Sequence, residues 1–156
     1  MIHCIKEREN MKAEVVILIA EDDEGHAVLI RKNLGRAKIS NAILHFKDGQ
    51  EILDFLFQRT EPCRKPGVGY LLLLDIRMPR VDGIEVLRQI KADHELRKIP
   101  VTMLTTTDDP KEIAHCHELG CNNYITKPVE YDKFMTTVEQ LGLFLSVVSI
   151  PQINED

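Results

Sequence analysis

Short apolar runs alternate along the chain with longer segments in which apolar residues recur at helical spacing. The runs Val15 to Ala20, Ala42 to Phe46, Tyr70 to Leu74, Val101 to Leu104 and Asn123 to Thr126 predict five strands. Their nearly continuous apolarity predicts burial on both faces. Between them, Ala27, Ile30, Leu34 and Ala37 form the stripe of a first helix, Ile52, Phe55 and Leu56 mark a second, and Ile84, Leu87 and Ile90 a third. A fourth opens on Asp109, Pro110 and Glu112 and stops at Gly120, and a fifth carries Phe134, Val138, Leu141 and Leu145. Asp48 with Glu51 and Asp82 with Glu85 repeat the cap spacing at the second and third helices.

Strands alternating with helices call for an α/β fold: a five-stranded parallel sheet, doubly wound in the flavodoxin-like order 2-1-3-4-5, with helices on both faces. Sites in such sheets lie beyond the strand C-termini, at the switch point between the first and third strands. There the first strand leads into Glu21, Asp22 and Asp23 and the third into Asp75, while the fourth ends in Thr105 and the fifth in Lys127. Thr60 to Gly69, rich in proline and glycine, reads as a surface loop. The expected organisation is an N-terminal extension over residues 1–12, one domain over 13–146 and a C-terminal tail over 147–156.

Composition narrows the function classes. The 156 residues are 44% hydrophobic and 29% charged, as in an ordinary globular domain, and a net charge of −5 disfavours nonspecific binding to nucleic acid or anionic membranes. No apolar stretch approaches the roughly 20 residues of a membrane span. Lys6, Glu7, Arg8, Glu9 and Lys12 precede no long apolar core, so the N-terminus does not read as a secretory signal, and a cytoplasmic location is expected. Cys4, Cys63, Cys116 and Cys121 lack framework spacing and are expected to be thiols.

Carboxylates crowded at a strand-end crevice repel one another unless a cation neutralises them. Mg2+, which takes oxygen ligands and commonly uses one or two carboxylates with a phosphate, suits Glu21, Asp22 and Asp75. Lys127 adds a cation and Thr105 a hydroxyl, so the crevice combines a carboxylate nucleophile, metal ligands and two groups able to hold phosphoryl oxygens. That combination implies aspartyl phosphate chemistry. A zinc reading of His115, Cys116, His117 and Cys121 is weaker: neighbours on a helix diverge and Gly120 interrupts it, which favours surface and core packing.

The segments ILIAEDD at Ile17 to Asp23, LLLLDIRMPRVDG at Leu71 to Gly83, PVTMLTT at Pro100 to Thr106 and YITKP at Tyr124 to Pro128 occur in one order. With them the chain resembles a bacterial response-regulator receiver domain over about residues 13 to 146. The resemblance implies that Asp75 is the phosphoacceptor, taking phosphoryl from phosphohistidine on a sensor histidine kinase. It also implies that Glu21, Asp22, Asp75 and the backbone carbonyl of Arg77 hold Mg2+, and that Thr105 and Lys127 bind the phosphoryl group. Tyr124 would be a switch aromatic that moves with Thr105, and a cis peptide before Pro128 would aim Lys127. Arg77 and Thr107 occupy positions that influence dephosphorylation in the family, and Thr106 stands where a smaller residue is frequent.

Haloacid-dehalogenase-like phosphatases also form an aspartyl phosphate, but they need a second Asp where Arg77 stands. A flavodoxin-like cofactor binder is disfavoured by acids where a flavin phosphate would sit. The long loop, the LTTT segment and the extended C-terminus are similar to stand-alone regulators paired with cyanobacterial and bacterial phytochrome kinases. A relay intermediate, a phosphate sink or a phosphate-independent pseudoreceiver would keep much of the same pattern. No DNA-binding output and no membrane insertion are expected, so the signal would pass to a downstream protein target. Phe144, Val147, Val148 and Ile150 suggest either homodimerisation with the fourth and fifth helices or folding back onto their own domain.

Overall fold

The computed structural model describes residues 14–36, 39–106, 109–126, 136 and 152–154. Strands β1 (Val15–Ala20), β2 (Ile43–Phe46), β3 (Val68–Asp75), β4 (Val101–Thr105) and β5 (Asn123–Thr126) form a parallel sheet in the order β2-β1-β3-β4-β5. This is the flavodoxin-like order expected from the alternation. Helices α1 (Glu24–Arg36), α2 (Gly49–Leu56), α3 (Gly83–Ala92) and α4 (Pro110–Glu118) connect the strands, with a 3-10 turn at Leu96–Lys98. Among the described residues, no helix is long and apolar enough to cross a membrane.

Period-two alternation along each strand divides the interior into two layers. Val16, Leu18 and Ala20 of β1, with Leu72 and Leu74 of β3, face Ile52, Leu53, Phe55 and Leu56 of α2 and Val86, Leu87 and Ile90 of α3. Ile17, Ile19, Leu71 and Leu73 point the other way, onto Ile30 and Leu34 of α1. The central strands β1 and β3 are covered on both faces and are almost wholly apolar before Asp75. The expectation fails at the outer strands: β2 is only partly buried, and in β5 Ile125 alone is buried beside exposed Asn123, Tyr124 and Thr126.

The helix starts follow the predicted caps. Asp48 accepts from the Glu51 N–H at 2.8 Å, Asp82 from Glu85 at 2.9 Å, and Asp109 from Lys111 at 3.0 Å. Gly120, at φ +103°, ends α4 in the left-handed region, and its N–H donates to the His117 carbonyl. Of the fifth predicted helix only Thr136 lies within the described residues, and it is helical. Ala37, Phe134, Val138, Leu141 and Leu145 lie outside them, as do Phe144, Val147, Val148 and Ile150, which carry the dimer reading.

Two departures from the sequence reading concern β3. It begins at Val68 rather than Tyr70, and a short strand β6 (Gln152–Ile153) pairs antiparallel with its start. This pairing lies beyond residue 146, where the domain was expected to end.

Cys116 and Cys121 are buried, and burial pushes the Cys116 thiol up to about 11. At pH 8 such a thiol is about 0.1% thiolate, and the thiolate is the reactive form. Of the three cysteines among the described residues, iodoacetamide is therefore expected to label half-buried Cys63 first and to leave Cys116 and Cys121 unmodified until the chain is unfolded, as peptide mass mapping would show.

Candidate functional site

The pairing of β1 with β3 runs in register to Ala20↔Leu74, so both strands release the chain at the same height. The next residues are Glu21 and Asp22 on one side and Asp75 on the other. The Glu21 N–H continues the ladder to the Phe46 carbonyl of β2 at 3.0 Å, and the Ile76 N–H to the Leu104 carbonyl of β4 at 3.0 Å. Hydrogen bonding on both flanks thus fixes the backbone that carries the acids.

One carboxylate oxygen from each of Glu21, Asp22 and Asp75 lies within 4.8 Å of the others. Among the described residues this is the one group of three or more acid, histidine or cysteine side chains placed to share a metal. The acids differ in setting: Glu21 is 0% and Asp75 4% exposed, whereas Asp22 faces solvent. All-oxygen donors of this charge suit a hard divalent cation. Asp23, the third acid of the run, is used differently: its side chain accepts from the His26 N–H at 2.9 Å and its carbonyl from the Ala27 N–H at 3.0 Å, which starts α1.

Two histidines that the sequence reading did not single out surround Glu21. His26 Nδ1 stands 3.4 Å from Glu21 Oε1, and His45 Nε2 is within hydrogen-bond distance, 2.7 Å, of the Glu21 carbonyl. His26 follows from its place one turn into the helix after the acidic pair. His45 requires the β1–β2 register, which no local pattern encodes.

The loop from Ile76 to Asp82 is clamped from both sides. The Gly83 N–H donates to the Ile76 carbonyl at 2.7 Å, and a Cβ on Gly83 would stand 2.0 Å from the Asp75 carbonyl oxygen. A Cβ on Gly49, at the start of α2, would stand 1.9 Å from the Val81 carbonyl oxygen. Within the loop Arg80 adopts φ 68°, and its Nη1 lies 3.5 Å from Oδ2 of the cap residue Asp48.

Arg77, Met78 and Pro79 join Asp22, Asp82, Ile84 and Glu112 around an open cleft of about 480 Å³. Arg77 Nη2 reaches to 4.0 Å from Glu112 Oε2, across from α4, while Glu112 Oε1 is buried without a hydrogen-bond partner among the described residues. Glu112, a helix-start residue by sequence, is thereby a wall of the cleft.

Thr105 ends β4 in register with Thr126 of β5, which brings the chain before Lys127 to the same end of the sheet. Lys127 and Pro128, with the cis peptide expected between them, lie outside the described residues, as does Thr107. Thr106 is exposed. Tyr124 of β5 is 37% exposed and meets the His117 ring edge-on, with centroids 5.8 Å apart. His117 Nδ1 lies 3.7 Å from Cys121 Sγ, and no third ligand joins them among the described residues.

The sequence pattern of the response regulator receiver domain matches residues 17–139. A response regulator receiver domain from Rhodospirillum rubrum has a similar structure, with a TM-score of 0.79 and 45% identity, covering 90% of this chain and 99% of that one. Response regulator Rcp1 of Synechocystis sp. is 33% identical over 137 residues, 87% of this chain and 92% of that protein. Its Mn2+-bound form has a TM-score of 0.75 at 32% identity, covering 87% of this chain and 98% of that one. The phosphorylated cyanobacterial phytochrome response regulator RcpA has a TM-score of 0.76 at 32% identity, covering 89% of this chain and 99% of that one. A sheet whose switch point gathers acids from β1 and β3, and a family match spanning nearly all of it, lead to one conclusion: the chain belongs to the response regulator receiver domain family.

Proposed function

We propose that the chain accepts a phosphoryl group on Asp75 from phosphohistidine of a sensor histidine kinase and signals through the surface that this changes. The carrying observation is the pair of buried carboxylates, Asp75 and Glu21, gathered with exposed Asp22 within 4.8 Å beside an open cleft. A carboxylate oxygen of Asp75 attacks phosphorus, the phosphorus–nitrogen bond breaks, and the imidazole leaves with the bonding electron pair. Water later attacks the same phosphorus, releasing inorganic phosphate and restoring the carboxylate. In this reading Glu21, Asp22, Asp75 and the Arg77 carbonyl hold Mg2+, and Thr105 and Lys127 receive phosphoryl oxygens. Bound Mg2+ supplies positive charge against both the carboxylates and the phosphoryl group. Tyr124 follows Thr105 as the switch, and a downstream protein reads the result. The domain is assigned to residues 13–146.

The kinase is assigned to the phytochrome class. Support comes from RcpA, described as a phytochrome response regulator, and from the likeness to Rcp1. The reaction is assigned to the cytoplasm.

The test is incubation with acetyl phosphate, with Mg2+ or with chelator, followed by intact mass. One hydroxylamine-labile phosphoryl addition that needs Mg2+ supports the reading. No addition, together with no response to beryllofluoride, would leave a phosphate-independent binding module.

Asp22→Asn gives an independent check on the metal assignment. Without metal it removes one of the crowded like charges, so the unfolding temperature in chelator is expected to rise. With Mg2+ at about 100 times the wild-type Kd, binding stabilises the wild type by about 2.7 kcal/mol. A loss of about 100-fold in affinity would reduce that gain to about 0.4 kcal/mol. Thermal unfolding with and without Mg2+ reads both signs.

A further inference from the structure

β4 pairs with β3 only from Leu72 onward, so the first residues of β3 extend beyond it. An open edge of a buried central strand leaves backbone groups that need partners. β6 fills that edge, with Val68 opposite Ile153 and Gly69 opposite Gln152. Ile153 is 0% exposed and belongs to the larger core layer.

Polar groups from separate parts of the chain converge on the same segment. The Gly67 N–H donates to the Ile153 carbonyl at 3.2 Å. Arg64, 3% exposed, donates from Nε to the Leu56 carbonyl at 2.7 Å and from Nη1 to the Asn154 carbonyl at 3.0 Å. The Asn154 N–H donates to Glu95 Oε2 at 3.2 Å. Glu95 is itself buried and paired with Lys98 at 3.0 Å; Lys98 and then the Asn154 N–H hold its carboxyl below the ordinary range. A buried guanidinium requires acceptors, and one of those that Arg64 uses belongs to the C-terminal segment.

We propose that residues 152–154 are a strap, a strand seated in cis in an acceptor built by Arg64, Gly67–Gly69 and Glu95, which holds the start of β3 and the Arg64 loop in place. β5 ends at the carboxylate end of the sheet, beside Thr105, whereas β6 lies at the opposite end, beside the start of β3. Recognition is by backbone groups plus one apolar side chain, because the Asn154 side chain is exposed while its N–H and carbonyl are both bonded. The inference is independent of the phosphoryl reading.

Four full-length chains test it: wild type, Asn154→Ala, Asn154→Pro and Ile153→Asp. Carboxypeptidase trimming and hydrogen exchange, both read by mass, are the measurements. Asn154→Ala keeps the N–H and is expected to match the wild type. Asn154→Pro and Ile153→Asp are expected to be trimmed through residue 152, with peptides covering 64–69 exchanging at least tenfold faster. β1 and β4 should keep wild-type exchange, and Asn154→Pro, which deletes one donor, decides the matter if Ile153→Asp loosens the whole domain. Equal trimming and exchange in all four chains would overturn the strap. So would a concentration-dependent wild-type dimer that Ile153→Asp dissociates, because the strand would then be seated in a second copy.

Discussion

Asp75→Asn is expected to bring phosphoryl uptake from acetyl phosphate to background while leaving the chain folded and, in chelator, more stable than the wild type. The amide has nearly the shape of the carboxylate, so a side chain 4% exposed is replaced without a cavity or a new clash. What disappears is the nucleophile and one of the negative charges gathered within 4.8 Å. Relief of that repulsion is the source of the stability gain, as for Asp22→Asn. The two variants differ in uptake: Asp22→Asn retains the nucleophile and is expected to take up phosphoryl slowly, more so at high Mg2+. Addition that persisted in Asp75→Asn would have to reside elsewhere, and His26 and His45 stand beside the cluster. Alkali separates these outcomes, since the acyl phosphate of an aspartate hydrolyses in base and phosphohistidine survives it. Alkali-stable addition of equal extent in the wild type and Asp75→Asn would therefore remove Asp75 from the proposed role.

The parts of this molecule legible in its sequence share one property: the signal is local and the physical cause is near at hand. Val16 and Leu18 face one layer and Ile17 and Ile19 the other because a strand covered on both faces has no polar positions to spare. Asp48, Asp82 and Asp109 announce helix starts because each caps an N–H two or three residues ahead. Glu21, Asp22 and Asp75 could be brought together because parallel strands end on one side and the strand order makes β1 and β3 neighbours. The contrast between buried Glu21 and exposed Asp22 was not legible, since adjacent acids look alike in sequence. Arg64 was hidden for a related reason: an arginine in a proline- and glycine-rich loop reads as solvated, and only contacts from Leu56 and Asn154 explain its burial. β6 is too short for periodicity, and its cause is the unpaired edge of β3, a property of the assembled sheet.

Gly83→Ala and Gly35→Ala are expected to change stability in opposite directions, although helix propensity favours alanine at both by about 1 kcal/mol. Gly35 lies in α1, and an added Cβ there meets nothing within 4 Å. Its replacement should stabilise by about 0.5–1 kcal/mol, through propensity and a less disordered unfolded chain. Gly83 opens α3, and its added Cβ would lie 2.0 Å from the Asp75 carbonyl oxygen and 2.8 Å from Ile76 Cα. Both obstacles are backbone, so no rotamer change relieves them. The helix start or the strand end must move, at an expected cost of about 3 kcal/mol. The hydrogen bond from the Gly83 N–H to the Ile76 carbonyl ties the two together, so movement of either displaces the loop that starts at Asp75. Phosphoryl uptake by Gly83→Ala should therefore fall along with its unfolding midpoint, while Gly35→Ala gains stability at unchanged uptake. Urea unfolding of the two variants, with uptake measured at a temperature where both are folded, separates the effect on Asp75 from general destabilisation. Wild-type stability in Gly83→Ala would mean that the contact yields cheaply and that this glycine does not hold the acid in place.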